Sequence, residues 1–328
     1  YRWICGGVHV NYHTLSDFRV AHQAALDPVL TETLAVLLQA GLITLTRVAQ
    51  DGTRIRASAG AASFRREQSL RRCLMEAEAQ VRRCAAEDDA TGATRTARQA
   101  AAQARAAWER QARVEQALAH LPAVRAAKKT PAARAEARVS TTDPEARVMK
   151  MADGGFRPAY NVQVATDTGA QVVVGVDATN RGSDRGESTP MLAAVTARTG
   201  TVPADWLIDG GFVTQEAIAE AADREVTVYA PVPASRSARD PHTPRASDSQ
   251  AVATWRMRMG TAEGKEIYKA RAATAECVNA LWKDQRGLHR LRVRGLAKVL
   301  CIALWMAVTH NLLRWVALAK VAGQTVGS

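Results

Sequence analysis

Three acidic residues sit where their neighbours could put them to chemical use. Asp51 and Asp209 each follow a run of apolar and β-branched residues and are followed at once by glycine, in "RVAQDGT" and "DWLIDGGF". In α/β sheets reactive groups collect at the C-terminal ends of strands, and glycine lets a ligand or a second backbone approach closely. Glu276 lies instead in a basic stretch, "EIYKARAATAECVNALWKDQRGLHRLRVRG". On a helical wheel Glu276 and Lys283 nearly eclipse each other, with Tyr268 and Arg271 flanking their stripe. Ile267, Thr274, Cys277, Val278 and Leu281 form an apolar stripe beside it, which puts Glu276 at the edge of a packed face rather than out in solvent.

Taken singly, each residue has an ordinary explanation: a strand-to-turn aspartate twice, and a surface Glu/Lys pair. Taken together, three carboxylates from distant positions suit divalent ions. Mg²⁺ takes hard oxygen ligands and few of them from protein. Two such ions about 4 Å apart can activate an attacking oxygen and stabilise a leaving one in phosphoryl transfer. The surrounding Lys and Arg would then hold a nucleic-acid backbone, whose charge dominates affinity.

The elements that must position these residues follow from patterning. Residues 1–41 read as short helices: "TLSDFRVAH", capped by Thr14 or Ser16, and "DPVLTETLAVLLQAG", which stops at Gly41. Residues 42–60 hold a first strand that ends at Asp51. Residues 61–140 form an Ala/Arg/Gln/Glu tract expected as one or two long helices, broken near Asp88–Gly92. Residues 141–298 turn α/β. "AYNVQVAT" and "QVVVGVDA" form a hairpin about Asp167-Thr168-Gly169. A helix, the short strand of "ADWLIDGGF", a helix capped by Thr214 and the strand "VTVYAPV" follow. Pro231–Gln250 reads as a mobile loop, ahead of the long basic helix, and an apolar helix at 299–328 packs on the core. Asp143, Asp167 and Asp184 read as loop and turn residues. This order is that of a ribonuclease-H-like α/β fold: a mixed sheet of antiparallel hairpin plus parallel strands, with an inserted helical region and a helical N-terminal remnant.

The composition points the same way. The chain carries 44 Lys and Arg against 32 Asp and Glu, a net charge of +12, which favours nucleic acid over an anionic membrane surface. Cys5, Cys73, Cys84, Cys277 and Cys301 are scattered without a CxxC pair, against a disulfide framework and in keeping with a reducing, cytoplasmic setting. The histidines lack zinc-site spacing. No secretory leader is visible, and the start reads as internal. "VLCIALWMAV" is about half the length of a membrane span, so no membrane partner is expected.

These residues resemble the DDE transposases of bacterial insertion sequences, and within them the branch with a Tyr-Arg-Glu-Lys signature: here Tyr268, Arg271, Glu276 and Lys283. The Arg-to-Glu gap is one residue longer than in the best-known version. "DGGF" at Asp209 matches the family's Asp-x-Gly-Tyr/Phe, and "DGTR" at Asp51 its first acidic motif. "YRWICGGVHVNYHTLSDFR", "DPEARVMKMADGGFRPAYNVQVATD" and "WRMRMGTAEGKEIYKAR" are similar to relatives as well, so the resemblance covers essentially the whole chain. It implies that Asp51, Asp209 and Glu276 ligate two Mg²⁺ or Mn²⁺ ions. It further implies cleavage of double-stranded DNA at terminal inverted repeats and 3′-OH strand transfer into target DNA. Arg271, Lys283 and Tyr268 would contact phosphates. Arg286, Arg290 and Arg294, recurring every four residues, would extend that track. A homodimer on DNA, in a nucleoid-associated cytoplasmic setting, is the family expectation. The competing reading is a decayed or recruited, non-catalytic DNA-binding protein.

Overall fold

The computed structural model of the chain describes residues 11–89, 97–234 and 239–321. In chain order these form α1 (Tyr12–Ala21), α2 (Leu26–Gln39), β1 (Arg47–Arg56), β2 (Phe64–Arg65), α3 (Glu67–Asp89), α4 (Ala97–Ala126) and α5 (Pro131–Ala135). Then come β3 (Val139–Ser140), β4 (Arg147–Lys150), β5 (Phe156–Asp167), β6 (Val173–Thr179), α6 (Ser188–Thr199), β7 (Asp205–Leu207), α7 (Gln215–Ala222) and β8 (Thr227–Tyr229). The chain closes with α8 (Gln250–Gly260), α9 (Ala262–Arg271), α10 (Cys277–Ala280) and α11 (Leu296–Val321). Two compact units emerge, one of Tyr1–Thr53, Asn161–His289 and Ala297–Ser328, the other of Arg54–Tyr160 and Arg290–Leu296.

The first unit is built on a sheet in the order β6-β5-β1-β7-β8. β5 and β6 pair antiparallel, as the hairpin pattern predicts. β1 runs parallel to β7, and β7 to β8, the last two joined through α7. β5 is buried from Pro158 to its end, as expected where both faces of a sheet are covered. Gly175 of β6 lets α6 come close: a Cβ there would stand 2.7 Å from Met191 Sδ and 2.8 Å from Val195 Cγ2. α11 docks through Asn311, which accepts from Val173 N at 2.8 Å and donates to Val173 O at 2.7 Å. This is the ribonuclease-H-like arrangement expected from the order of elements: parallel and antiparallel strands in one sheet, with helices packed against them.

The second unit holds the packed pair α3 and α4, which close on Leu70, Ala117, Leu121, Val124, Ala137 and Val139. A two-stranded ribbon of β2 and β3, unforeseen in the Ala/Arg-rich tract, completes that core. β4 pairs antiparallel with the first residues of β5. Buried Asp143 accepts from Tyr160 Oη at 2.7 Å and Gly295 N at 3.3 Å, so it ties the segment together rather than merely preceding a proline.

Several expectations need correction. α1 is capped by Asn11, whose Oδ1 accepts from His13 N, and not by Thr14 or Ser16. β1 continues to Arg56, so Asp51 lies within the strand rather than at its end. The helix break expected near Asp88–Gly92 falls largely on residues 90–96, outside those described, as do residues 235–238 of the expected loop and the start of "YRWICGGVHV". The C-terminal helix is longer than its apolar run suggested. By length and composition α11 could cross a membrane, although Val299, Cys301, Ala303, Leu304, Ala307 and Val308 are buried within the protein. The four cysteines among the described residues are free thiols.

Candidate active site

The register of β1 and β7 brings the two aspartates together. Ala49 pairs with Leu207 in a parallel ladder. Asp51 and Asp209 each lie two residues beyond that rung, at the same level on neighbouring chains, which in a sheet run about 4.8 Å apart. β7 ends at Leu207, and the chain turns at once, with Gly211 N donating to Asp209 Oδ1. An identical tetrapeptide, Asp153-Gly154-Gly155-Phe156, serves only the turn into β5 in the second unit, where Asp153 binds Gly155 N and Arg157. The buried strand that precedes it, not the motif alone, sets Asp209 apart.

Glu276 reaches the same place by a different route. The helix that begins at Ala262 changes pitch after Arg271: residues Ala272–Glu276 form a π turn, Cys277–Ala280 are α-helical, and Leu281–Gln285 form a second π turn. In a π turn the repeat widens from i+4 to i+5. Arg271 and Glu276, five apart, therefore face each other, and Nη1 donates to Oε1 at 3.0 Å. The five-residue spacing from Arg271 to Glu276 is accommodated by this widened turn.

Arg271 is the hub. Its side chain is buried, and besides Glu276 it donates from Nη2 to Asp51 Oδ1 at 3.1 Å, with Asp209 Oδ2 at 3.9 Å from the same nitrogen. Asp51 and Asp209 are thus no more than about 7 Å apart, the sum of those two contacts, a span that ions about 4 Å apart can share. Asn279 Nδ2 donates to Asp51 Oδ2 at 2.9 Å. Burial raises the pKa of Asp51, with Arg271 and Asn279 pulling the other way. Burial also works against the charge on Arg271, but Asp51, Tyr268, Asp209 and Glu276 outweigh it and its pKa rises. Burial raises the Tyr268 hydroxyl, which shares a hydrogen bond with Arg271.

The other expected residues divide. Tyr268 is half-buried beside Arg271, and Lys283 is half-buried in the second π turn. Glu276, expected at a packed edge, has a side chain 58% exposed. Arg286, Arg290 and Arg294 form no helical stripe, because the helix stops at Gln285 and Gly287 turns the chain with φ +68°. Arg286 stands 3.4 Å from His310 Nδ1 in the first unit, whereas Arg290 and Arg294 belong to the second.

Two features were missed in the sequence. Asn279 and Trp282, neither of them singled out in the sequence, are buried on the helix that carries Glu276. A cleft of about 860 Å³ lies just beyond the turn after Asp209, its charged lining made of Arg185, Glu216, Arg239, Asp240, Arg245 and Arg256. Arg256 is paired with Asp248 at 2.7 Å, and Glu216 and Asp240 share the lining with the remaining arginines.

As a cation site, the donor set is chemically suitable: carboxylate oxygens from within β1, from the turn after β7 and from one helix. Among the described residues, no three acidic, histidine or cysteine side chains are gathered tightly enough to ligate one ion as they stand. The Arg271 guanidinium holds the carboxylates apart and supplies the positive charge that an ion would otherwise bring.

Sheet order, neighbouring aspartates within β1 and just after β7, and a helix-borne glutamate together define a ribonuclease-H-like protein with an acidic site beside its parallel strands. Residues 235–316, which include Tyr268, Arg271, Glu276 and Lys283, match the family described as "Transposase DDE domain". Over those residues, a quarter of the chain, the sequence is similar to the DDE-type transposases. No curated protein and no solved structure matches the chain.

Proposed function

We propose that the protein cleaves DNA at the ends of an insertion element and joins the freed 3′-OH to target DNA, with Asp51, Asp209 and Glu276 as its metal-ligating residues. One observation carries this reading: the three carboxylates, separated by more than two hundred residues of sequence, meet one guanidinium. Asp51, Asp209 and Glu276 would hold two Mg²⁺ or Mn²⁺ ions, which supply charge stabilisation for in-line phosphoryl transfer. Arg271 neutralises the carboxylates in the free protein. With ions bound there, its guanidinium would be free to pair with a DNA phosphate, which it matches in fork geometry. Tyr268, half-buried beside Arg271, and Lys283 would orient the strand. The cleft beside α7 would carry the backbone away from the site, through Arg185, Arg239 and Arg245.

The test is cleavage of the element's own flanking DNA, with Mg²⁺ or Mn²⁺. The expected result is metal-dependent nicking followed by strand joining, both lost in Asp209→Ala and Glu276→Ala with folding retained. Salt-sensitive DNA binding without any cleavage would favour the non-catalytic reading instead.

A further inference from the structure

Asp184 reads in the sequence as a loop residue, yet the structure brings it to the same strand edge. It sits in the first unit, ahead of α6, and is held by two donors from one face of β5: Asn161 Nδ2 at 2.6 Å and Gln163 Nε2 at 2.9 Å. Gln163 is fixed in turn, because Gln50 Nε2 donates to its Oε1 at 3.1 Å. The approach depends on the residue after Asp51 being glycine, for a Cβ on Gly52 would overlap Asp184 Oδ1 and stand 2.6 Å from Gln163 Nε2. The other oxygen looks toward Asp209. Measured from the position of a Cβ on Gly211, Asp184 Oδ2 is 3.9 Å away and Asp209 Oδ1 3.4 Å.

A second observation marks this place as a cation position rather than a knot of structural hydrogen bonds. Asn161 is fully buried, and its Oδ1 accepts no hydrogen bond. That oxygen lies 3.0 Å from the Cβ position of Gly52, the same small space that Asp184 Oδ1 borders. A buried acceptor without a donor costs about 1–3 kcal/mol. A hard acceptor beside a carboxylate, with a second carboxylate within reach, is what a hydrated divalent ion would satisfy.

We infer that Asp184 is a fourth acidic member of the cation site, positioned by Asn161 and Gln163 and facing Asp209 across Gly211. The inference rests on the proposed function, since it takes Asp209 to be a cation ligand. Asp184→Asn is the informative change. It keeps an oxygen to accept from both amides and removes only the charge.

The experiment is Mn²⁺ titration of the full chain without DNA, with free aquo-Mn²⁺ read by electron paramagnetic resonance and metal-free Tm measured alongside. The expected result is binding by the wild type, binding abolished in Asp209→Asn, and affinity weakened about 10- to 100-fold in Asp184→Asn at unchanged metal-free Tm. Gly52→Ala, which pushes Asp184 aside, should weaken binding as well. Wild-type affinity in Asp184→Asn overturns the assignment while leaving the proposed function intact, whatever its metal-free Tm. Absence of Mn²⁺ binding in the wild type overturns both.

Discussion

Arg271 and Glu276 are five residues apart on one helix and meet at 3.0 Å because the helix between them is a π turn. On a regular α-helix a residue five positions away points well round the barrel, and the contact would be made at i+4. The turn thus acts as a one-residue insertion that leaves the ion pair in place. Deletion of exposed Ala272 should let the segment revert to an α turn with Arg271 and Glu276 still paired. The deletion variant is expected to fold with stability within about 1 kcal/mol of the wild type, since an α turn has the better hydrogen-bond geometry. It should also keep metal-dependent nicking. Normal folding with loss of nicking would show that the widened turn itself is required.

Arg271 is the counter-charge for carboxylates that would otherwise repel one another. Removing one partner of a buried ion pair leaves the other uncompensated, at a cost of about 3–5 kcal/mol. Arg271→Ala should therefore lower the metal-free Tm clearly, with the loss near the lower end because Glu276 and Asp209 are half-exposed. Excess Mn²⁺ should restore part of it, since a bound ion supplies the missing charge. A thermal melt with and without Mn²⁺ decides this, and a variant as stable as the wild type in both would show that the guanidinium carries no such role.

Much of this was legible in the sequence. The hairpin of β5 and β6, the strand before Asp209, the Thr214 cap and the long helices α3 and α4 follow from local alternation, turn chemistry and composition. Asp51, Asp209 and Glu276 were each visible because the flanking residues are local signals. The hub role of Arg271 was not, because a wheel of fixed pitch cannot anticipate two π turns in one helix. The arginines at 286, 290 and 294 were misread for a related reason: their four-residue spacing means a stripe only if the helix continues, and Gly287 ends it. Asp184 escaped notice because its neighbours in sequence are Gly, Ser and Arg, while its partners come from β5.

The close packing of α6 on β6 can be tested apart from the acidic site. Gly175→Ala would press a methyl group against Met191 Sδ, Val195 Cγ2 and the Ala165 Cβ at 3.3 Å. Met191 can swing away, but Val195 is β-branched and stiff. The expected cost is about 1–3 kcal/mol in denaturant unfolding, as for overpacked cores. A neutral result would mean that α6 shifts freely on the sheet. Gly175→Ala paired with Val195→Ala should recover part of the loss, because the second change opens room for the first.

His310 gives a pH dependence that is separate from the carboxylates. Its Nε2 lies 2.8 Å from Gln171 O, an acceptor, and Nδ1 faces the donor Arg286 Nη1 at 3.4 Å. Those partners fix the neutral tautomer with the proton on Nε2. Burial comes first in lowering its pKa below 6.5, and the charges of Arg286 and Arg314 add to it, against the bond to Gln171. The unfolded chain therefore binds this proton more readily than the folded one. The stability contribution is intact above about pH 6.5 and is lost as pH falls through the lowered folded value, by up to about 1.4 kcal/mol per pH unit. His310→Gln can still donate to Gln171 O and cannot titrate. Its unfolding free energy, measured by denaturant titration across this range, should fall less steeply with acidification than that of the wild type. Equal slopes would assign the acid sensitivity to other groups.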